Sequence, residues 1–421
     1  LKLNRTIALL ATLLSAAACA SPLLDTRTPD PSFRVTPNGT SSVGGVTITR
    51  ATLTSQTWKS GDWTHRLSIF RPPSPSHDDF CVLLISGSGD GAGEDLVGTV
   101  LATSVGVPVA VLLDVPNQPL YGDKREDELI AHTWTEYLKS GDESWPLLLP
   151  MVESALRAMD AVQSLSKSAG HPEIKRFLVT GASKRGWTTW LTAATKDPRV
   201  KAIAPMVIDV LNMEKQLPHQ VESYGKASEQ IADYERAGLL DALQTPRGKR
   251  LLEIVDPYSY RKELTLPKLL ILGTNDPYWT QDALNLYWDG LPGAKWVLYT
   301  PNSGHGLDDR LRVLATLGAF ARSVADGKPL PRPSWKWNGN TLTVTSNPKP
   351  VSARFWTTSA PTRDFRKSKW TSKEIPVRNG RVAVELRRPQ SGYAAGFVEL
   401  TYRQGAGNYT VSTQLRIVGR Q

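Results

Sequence analysis

The stretch Phe177-Leu178-Val179-Thr180-Gly181-Ala182-Ser183-Lys184-Arg185-Gly186-Trp187 decides how this chain is read. An apolar strand run leads straight into a serine, and a helix-forming segment follows. Gly181 before and Gly186 after relieve the crowding of a sharp strand–turn–helix bend. Such a bend lifts the serine hydroxyl above the edge of a sheet and sets the next backbone N–H beside it, the geometry of a nucleophile elbow. The spacing here is G-x-S-x-x-G, one residue longer than the common G-x-S-x-G. A serine at this place can also be a plain helix N-cap, so the reading rests on what else the chain supplies.

Two segments downstream supply it. Lys268 to Gly273 reads as a strand and is followed by Thr274-Asn275-Asp276; Lys295 to Tyr299 reads as another and is followed by Gly304-His305-Gly306. Serine, then acid, then histidine is the chain order of the α/β-hydrolases. The chemistry needs all three: the hydroxyl is a poor nucleophile until a base takes its proton, imidazole is that base at neutral pH, and a carboxylate fixes its tautomer. Asp209, also after an apolar strand, is the alternative acid, whereas Asp256 before Pro257 reads as a turn or cap residue. His65, His77, His132, His171 and His219 follow no such strand and read as surface or satisfied polar residues. For the oxyanion, the backbone N–H of Lys184 is one candidate donor. The glycine-rich loop at Ser88 and Gly89 is the other, unless it is a flexible connection. Lys184 and Arg185 place two cations beside the serine, to assist the oxyanion, to meet an acidic substrate, or to lie on a solvated helix surface. Glu126-Asp127-Glu128 reads as a helix start complementing the helix dipole.

Around these residues, apolar runs at 82–85, 109–113, 177–180, 202–207, 269–272 and 296–299 alternate with amphipathic stretches at 127–138, 149–165, 184–195, 281–288 and 309–324. That alternation predicts an α/β fold: a mostly parallel sheet covered by helices on both faces. The polar, helix-prone segment at about 210–262 interrupts the rhythm as a lid or pocket wall, or as a surface decoration. Trp134, Trp187 and Trp279 belong to a set of aromatics expected near the carboxyl edge of the sheet, as core or as walls of a substrate cleft.

The 421 residues are 40% hydrophobic and 21% charged, an ordinary globular balance with room for two or three domains. Two cysteines exclude a disulfide scaffold; Cys81, in an apolar strand, reads as a buried small hydrophobe. No metal motif and no phosphate-binding loop is present, so no cofactor is expected, and no nucleic acid. Residues 1–18 read as a signal peptide: basic Lys2 and Arg5, an apolar run from Leu9, then small residues before Cys19. Cys19 resembles a lipidation site, leaving a lipid-anchored protein and a soluble periplasmic or secreted one both open. Residues 19–44 read as a tether, 45–328 as the catalytic domain, and 332–421, with short strands and turns, as an immunoglobulin-like β-sandwich. The formal charge of +10 is concentrated there: residues 331–421 hold 16 Lys and Arg against 4 Asp and Glu. This basic piece is expected to hold the protein on an anionic envelope surface.

Several runs together resemble the PhoPQ-activated pathogenicity-related proteins, an exported bacterial family with an α/β-hydrolase core. They are Val115-Pro116-Asn117-Gln118-Pro119-Leu120, Arg125 to Ala131, Trp145-Pro146-Leu147-Leu148-Leu149-Pro150-Met151, Gly181 to Trp187, Gly273 to Trp279, Arg363-Asp364-Phe365-Arg366 and Phe397-Val398-Glu399-Leu400. The resemblance implies Ser183, Asp276 and His305 as the catalytic positions and names no substrate. The serine spacing is also similar to that of glucuronoyl esterases, which suggests carbohydrate esters. The expectation is therefore an exported serine hydrolase that cleaves an ester or amide of a small molecule, glycan or cell-envelope component. Two alternatives stand beside it, a non-catalytic envelope- or glycan-binding protein on a hydrolase scaffold, and a peptidase.

Overall fold

Six short strands, buried almost throughout, run side by side in the middle of the protein: β4 (Phe80–Ile85), β5 (Val109–Leu112), β6 (Arg176–Ala182), β7 (Val200–Met206), β8 (Lys268–Gly273) and β9 (Lys295–Thr300). They are the six apolar runs of the sequence, and all pair in parallel in the order β5-β4-β6-β7-β8-β9. This computed structural model describes residues 21–420 apart from residues 60 and 406. On the far side of β5, β3 (Gly61–Arg71), β2 (Val46–Trp58) and β1 (Arg34–Val43) extend the sheet antiparallel.

Side chains of each parallel strand alternate between two apolar layers, as the two-residue period requires. Cys81, Leu83 and Ile85 belong to the layer under α4 (Leu148–Ser168) and α5 (Lys184–Ala194). Val82 and Leu84 belong to the opposite layer, with α2 (Ala92–Leu101) and α10 (Arg310–Ala325). A mixed sheet with helices on both faces, and a strand-to-helix turn at Ser183 where β6 meets α5, is the α/β-hydrolase arrangement expected from the sequence. Two more elements matter for the site. One is α3 (Glu126–Ser140), which opens with the acidic run; the other is the insertion after β7, with α6 (Met213–Tyr224), α7 (Ala232–Arg236), α8 (Leu239–Ala242) and α9 (Pro246–Val255).

The C-terminal strands form two antiparallel sheets. One contains β10 (Ser334–Asn338), β11 (Thr341–Thr345) and β14 (Arg381–Glu385). The other contains β12 (Ser352–Ala360), β13 (Thr371–Ile375), β15 (Tyr393–Gln404), β16 (Gly407–Ser412) and β17 (Arg416–Gly419). Leu342, Val344 and Val384 of the first share one apolar cluster with Phe355, Val398 and Leu400 of the second. The second sheet is also continuous with the central one: Ser412 of β16 registers against Val297 of β9, and the Ser412 hydroxyl accepts the Tyr299 N–H at 3.1 Å.

Some expectations need correcting. The stretch 19–44 is not a tether over its described part. A short α1 (Pro22–Asp25) buries Leu23, and β1 pairs with β2 along its length. β1 is an edge strand with both faces largely exposed, so it carries no apolar alternation to announce it. The segment 281–288 forms 3₁₀ turns, Ala283–Leu286 and Trp288–Gly290, instead of a helix. The expected leader, 1–18, and Cys19 lie outside the described residues. Among those described, no helix is long and apolar enough to cross a membrane.

Candidate active site

Ser183 stands at the β6–α5 turn with φ 58° and ψ −128°. For a residue with a side chain this is a strained, left-handed backbone, of the kind held in place at functional sites at a cost of about 1–3 kcal/mol. Its N–H is tied to the Met206 carbonyl at 2.9 Å, and its own carbonyl accepts the Trp187 N–H at 3.0 Å. Both flanking glycines are required by contact. A Cβ on Gly181 would stand 2.8 Å from the Arg185 carbonyl oxygen, and one on Gly186 would stand 2.8 Å from the Ile208 side chain. Lys184 opens α5, so its N–H belongs to the first turn, where helices leave donors unpaired; it lies next to the serine.

The loops after β8 and β9 meet as the chain order suggests. Asp276 is 4% exposed, and its Oδ2 lies 2.9 Å from His305 Nδ1, while its Oδ1 accepts the Tyr278 N–H at 2.9 Å. His305 Nε2 is buried and makes no hydrogen bond among the described residues. The Tyr278 ring covers the imidazole at 4.3 Å between centroids, and Tyr278 and Ser183 line one cavity. Asp209, the alternative acid, takes no part: it is buried, accepts the Tyr287 hydroxyl at 2.6 Å, and its carboxyl is pushed up by burial to about 7. Asp256 is a cap, accepting the N–H groups of Met213 and Tyr258 at 2.8 and 2.9 Å. His65 has both ring nitrogens occupied, by Ser55 at 2.9 Å and by the Asp114 carbonyl at 3.0 Å, and burial pulls it down to about 4.

The two cations beside the serine are buried and already paired with acids. Arg185 is buried, grips Glu126 through both terminal nitrogens at 2.8 and 2.7 Å and reaches the Val115 carbonyl at 2.5 Å. It does not border the cavity, contrary to its expected place in the substrate pocket, because Glu126 and the Val115 carbonyl hold its guanidinium. Lys184 pairs with Glu126 at 2.7 Å and with Asp127 at 3.4 Å. Glu126 is held well below the ordinary carboxylate range; burial opposes this, but the hydrogen bonds and charges of Arg185 and Lys184 outweigh it. The acidic run does start a helix, and it also neutralises the elbow. Sequence reading missed that second role because the partners are about 60 positions away.

Asp127 was likewise missed as a site residue. It borders the cavity and accepts hydrogen bonds from Lys184 Nζ at 3.4 Å, the Tyr234 hydroxyl at 3.1 Å and the Tyr278 hydroxyl at 3.4 Å. The cavity has a volume of about 100 Å³. It is lined by Ser183 and Lys184, by Trp134, Trp187 and Trp279, and by Met213, Leu217, Leu240 and Leu252 of the 210–262 insertion. The insertion is thus a pocket wall. Trp187 anchors it by donating to the Val255 carbonyl at 2.6 Å. Ser88 and Gly89 are exposed and do not border this cavity, and the Gly89 carbonyl is taken by Arg66 at 2.6 Å. Among the described residues no cluster of His, Cys, Asp and Glu is placed to hold a metal.

A family model described as "PhoPQ-activated pathogenicity-related protein" matches residues 24–366. Autocrine proliferation repressor protein A from Dictyostelium discoideum is 31% identical over 447 residues, spanning 95% of this chain and 90% of the relative. Among solved structures, acetyl xylan esterase 1 from a Thermoanaerobacterium species superposes at a TM-score of 0.49 with 16% identity, over 72% of this chain and 91% of that one. A glucuronoyl esterase from Solibacter usitatus gives a TM-score of 0.40 with 12% identity, over 72% and 91%.

Proposed function

This chain belongs to the PhoPQ-activated pathogenicity-related protein family, and from that footing we propose that it is a serine hydrolase that cleaves an ester through an acyl-enzyme. The observation that carries the reading is the Asp276–His305 pair: the carboxylate holds Nδ1 at 2.9 Å and leaves the sheltered Nε2 without a partner among the described residues, one ring away from the cavity that Ser183 lines. In the proposed reaction Ser183 Oγ attacks the ester carbon and passes its proton to His305 Nε2. Asp276 fixes the tautomer and stabilises the imidazolium. The Lys184 N–H donates to the carbonyl oxygen as it gains charge. Collapse expels the alcohol, which leaves with the proton from Nε2. Water then repeats the sequence on the acyl-enzyme, releasing the acid and restoring the serine.

The lining argues for an uncharged, apolar group in the cavity. Lys184 is the one cation among the described lining residues and it is already paired, while Asp127 and Glu214 add negative charge. An anionic substrate such as a free uronate would meet repulsion there. The buried Gln216 Oε1 has no partner among the described residues, so a ligand that offers it one donor is favoured over a pure hydrocarbon. Nitrophenyl esters of graded chain length, compared with a methyl glucuronate and with a peptide panel, test this on the parent protein and on Ser183→Ala. Turnover of medium-length apolar acyl esters, lost in Ser183→Ala, is expected; preferential turnover of the polar uronate ester or of peptides overturns the substrate assignment.

One observation favours a second reading, a binding protein on a hydrolase scaffold: Ser183 and His305 are not hydrogen-bonded to each other. Such bonds often tighten only when substrate is bound. A fluorophosphonate probe separates the two readings, since a competent Ser183 is labelled covalently and a retired one is not.

A further inference from the structure

The connection between β12 and β13, residues 361–370, leaves the C-terminal sheets and packs against the loops that carry Asp276 and His305. Asn275, next to the acid, donates through Nδ2 toward the carbonyls of Phe365, Arg366 and Ser368 at 3.3, 3.2 and 2.7 Å. Asn302, three residues before the base, makes a reciprocal pair with Trp370: its Nδ2 donates to the Trp370 carbonyl at 3.0 Å and its Oδ1 accepts the Trp370 N–H at 2.7 Å. The two loops are themselves laced together. The Asn275 N–H donates to Ser303 at 2.9 Å, the Asn302 N–H donates to the Thr274 hydroxyl at 2.9 Å, and a Cβ on Gly273 would stand 2.5 Å from the Gly304 carbonyl. Phe365 and Trp370 anchor the connection, both buried in the same apolar layer as Tyr299 and Phe397.

The same connection reaches the 210–262 insertion. Arg363 pairs with Asp282 at 2.8 Å, and Asp282 holds His219 of α6 at 2.7 Å. Arg366 pairs with Glu229 at 2.9 Å and stacks over the Tyr224 ring at 4.0 Å, while the Tyr224 hydroxyl donates to the Trp279 carbonyl at 2.7 Å. The acid loop is therefore held between α6 on one side and residues 363–370 on the other.

We infer that residues 363–370 of the C-terminal region position Asp276 and His305 for proton transfer, acting through Asn275 and Asn302. On this view the basic C-terminal sheets complete the site as well as any surface they bind. The inference rests on the proposed serine chemistry for its kinetic readout, and on the Asp276–His305 hydrogen bond for an independent one.

The test uses the full chain. Asn302 has φ 55°, so Asn302→Gly removes both side-chain bonds without adding backbone strain. Asn302→Asp keeps the acceptor for the Trp370 N–H, and Asn275→Ala removes the second tie. Three quantities are read: the fluorophosphonate labelling rate of Ser183 across pH, KM for a neutral ester, and the downfield Nδ1–H proton of His305 by NMR. Expected is at least a tenfold slower labelling in Asn302→Gly and Asn275→Ala, with KM within twofold and partial rescue in Asn302→Asp. The acid limb of the pH profile moves to lower pH, because a loosened carboxylate stabilises the imidazolium less, and the downfield proton is lost. Unchanged labelling, pH limb and proton resonance, with only a lower melting temperature, overturn the inference. If the parent is not labelled at all, the serine chemistry fails, and the proton resonance alone decides: its persistence in the variants overturns the positioning role, and its loss supports it.

Discussion

Gly186 of α5 lies against the carbonyl oxygen of Gly181 in β6: a Cβ on Gly186 would come within 2.9 Å of that oxygen and within 2.9 Å of the Met206 carbonyl. This contact explains why the second glycine falls three residues after the serine. The intervening Arg185 turns inward to Glu126.

Gly186→Ala has no room for its methyl, since two of the three close atoms are backbone oxygens. Overpacking of this kind costs about 1–3 kcal/mol. Urea denaturation should show that loss with an unchanged slope, and labelling of Ser183 should fall further than stability does, because the elbow itself is displaced.

Asp276→Asn keeps the shape of the pair but lets the imidazole take the wrong tautomer. A fall of roughly 10³–10⁴ in kcat is expected, with little change in KM. Steady-state hydrolysis of a neutral nitrophenyl ester checks it; Asp209→Asn, assayed alongside, should leave the pH profile of kcat in place.

Glu126→Gln leaves Lys184 and Arg185 with one fewer anion, and these two side chains are 6% and 10% exposed. Breaking a buried pair from one side costs 3–5 kcal/mol. Because Glu126 keeps 40% of its side chain exposed, the lower end, about 3 kcal/mol, is expected in a thermal or urea melt.

Asp209 makes stability fall with rising pH. Its folded carboxyl is pushed up to about 7 from 3.8 by burial, so between those values the unfolded chain ionises first and unfolding is favoured. Parent stability should therefore drop relative to Asp209→Asn on going from pH 4 to pH 7, and the gap should level off above that. Paired denaturation curves at pH 4.5 and 8 read the difference; a gap that does not change with pH refutes it.

The C-terminal region presents exposed cations, including Lys336, Lys373, Arg387 and Arg388. If they meet an anionic surface, retention on anionic vesicles should be strong in dilute buffer and lost as salt shortens the Debye length from about 30 Å at 0.01 M to about 8 Å at 0.15 M. Replacing these four by glutamate should abolish retention and leave Ser183 labelling unchanged.

Local chemistry alone settled much of this protein. Runs such as Val82–Ile85 and Leu269–Leu272 had no polar face to offer solvent, so they belonged inside a doubly covered sheet. Gly181, Ser183 and Gly186 marked a bend, because a sharp turn excludes side chains whatever surrounds it. The order of Ser183, Asp276 and His305 was equally readable, since each followed its own strand. Tertiary structure alone decided the rest. Arg185 looked like a substrate contact until Glu126, 59 positions away, was seen to take its charge. β1 looked like a tether because an edge strand is held by backbone bonds that leave no pattern in its side chains. Nothing along the chain singled out Asn275 and Asn302, and their ties to Phe365 and Trp370 exist because the folded C-terminal region brings those carbonyls within reach. Periodicity and bends are properties of neighbouring residues and can be read along the chain; ion pairing and loop positioning depend on which distant segments the fold brings together.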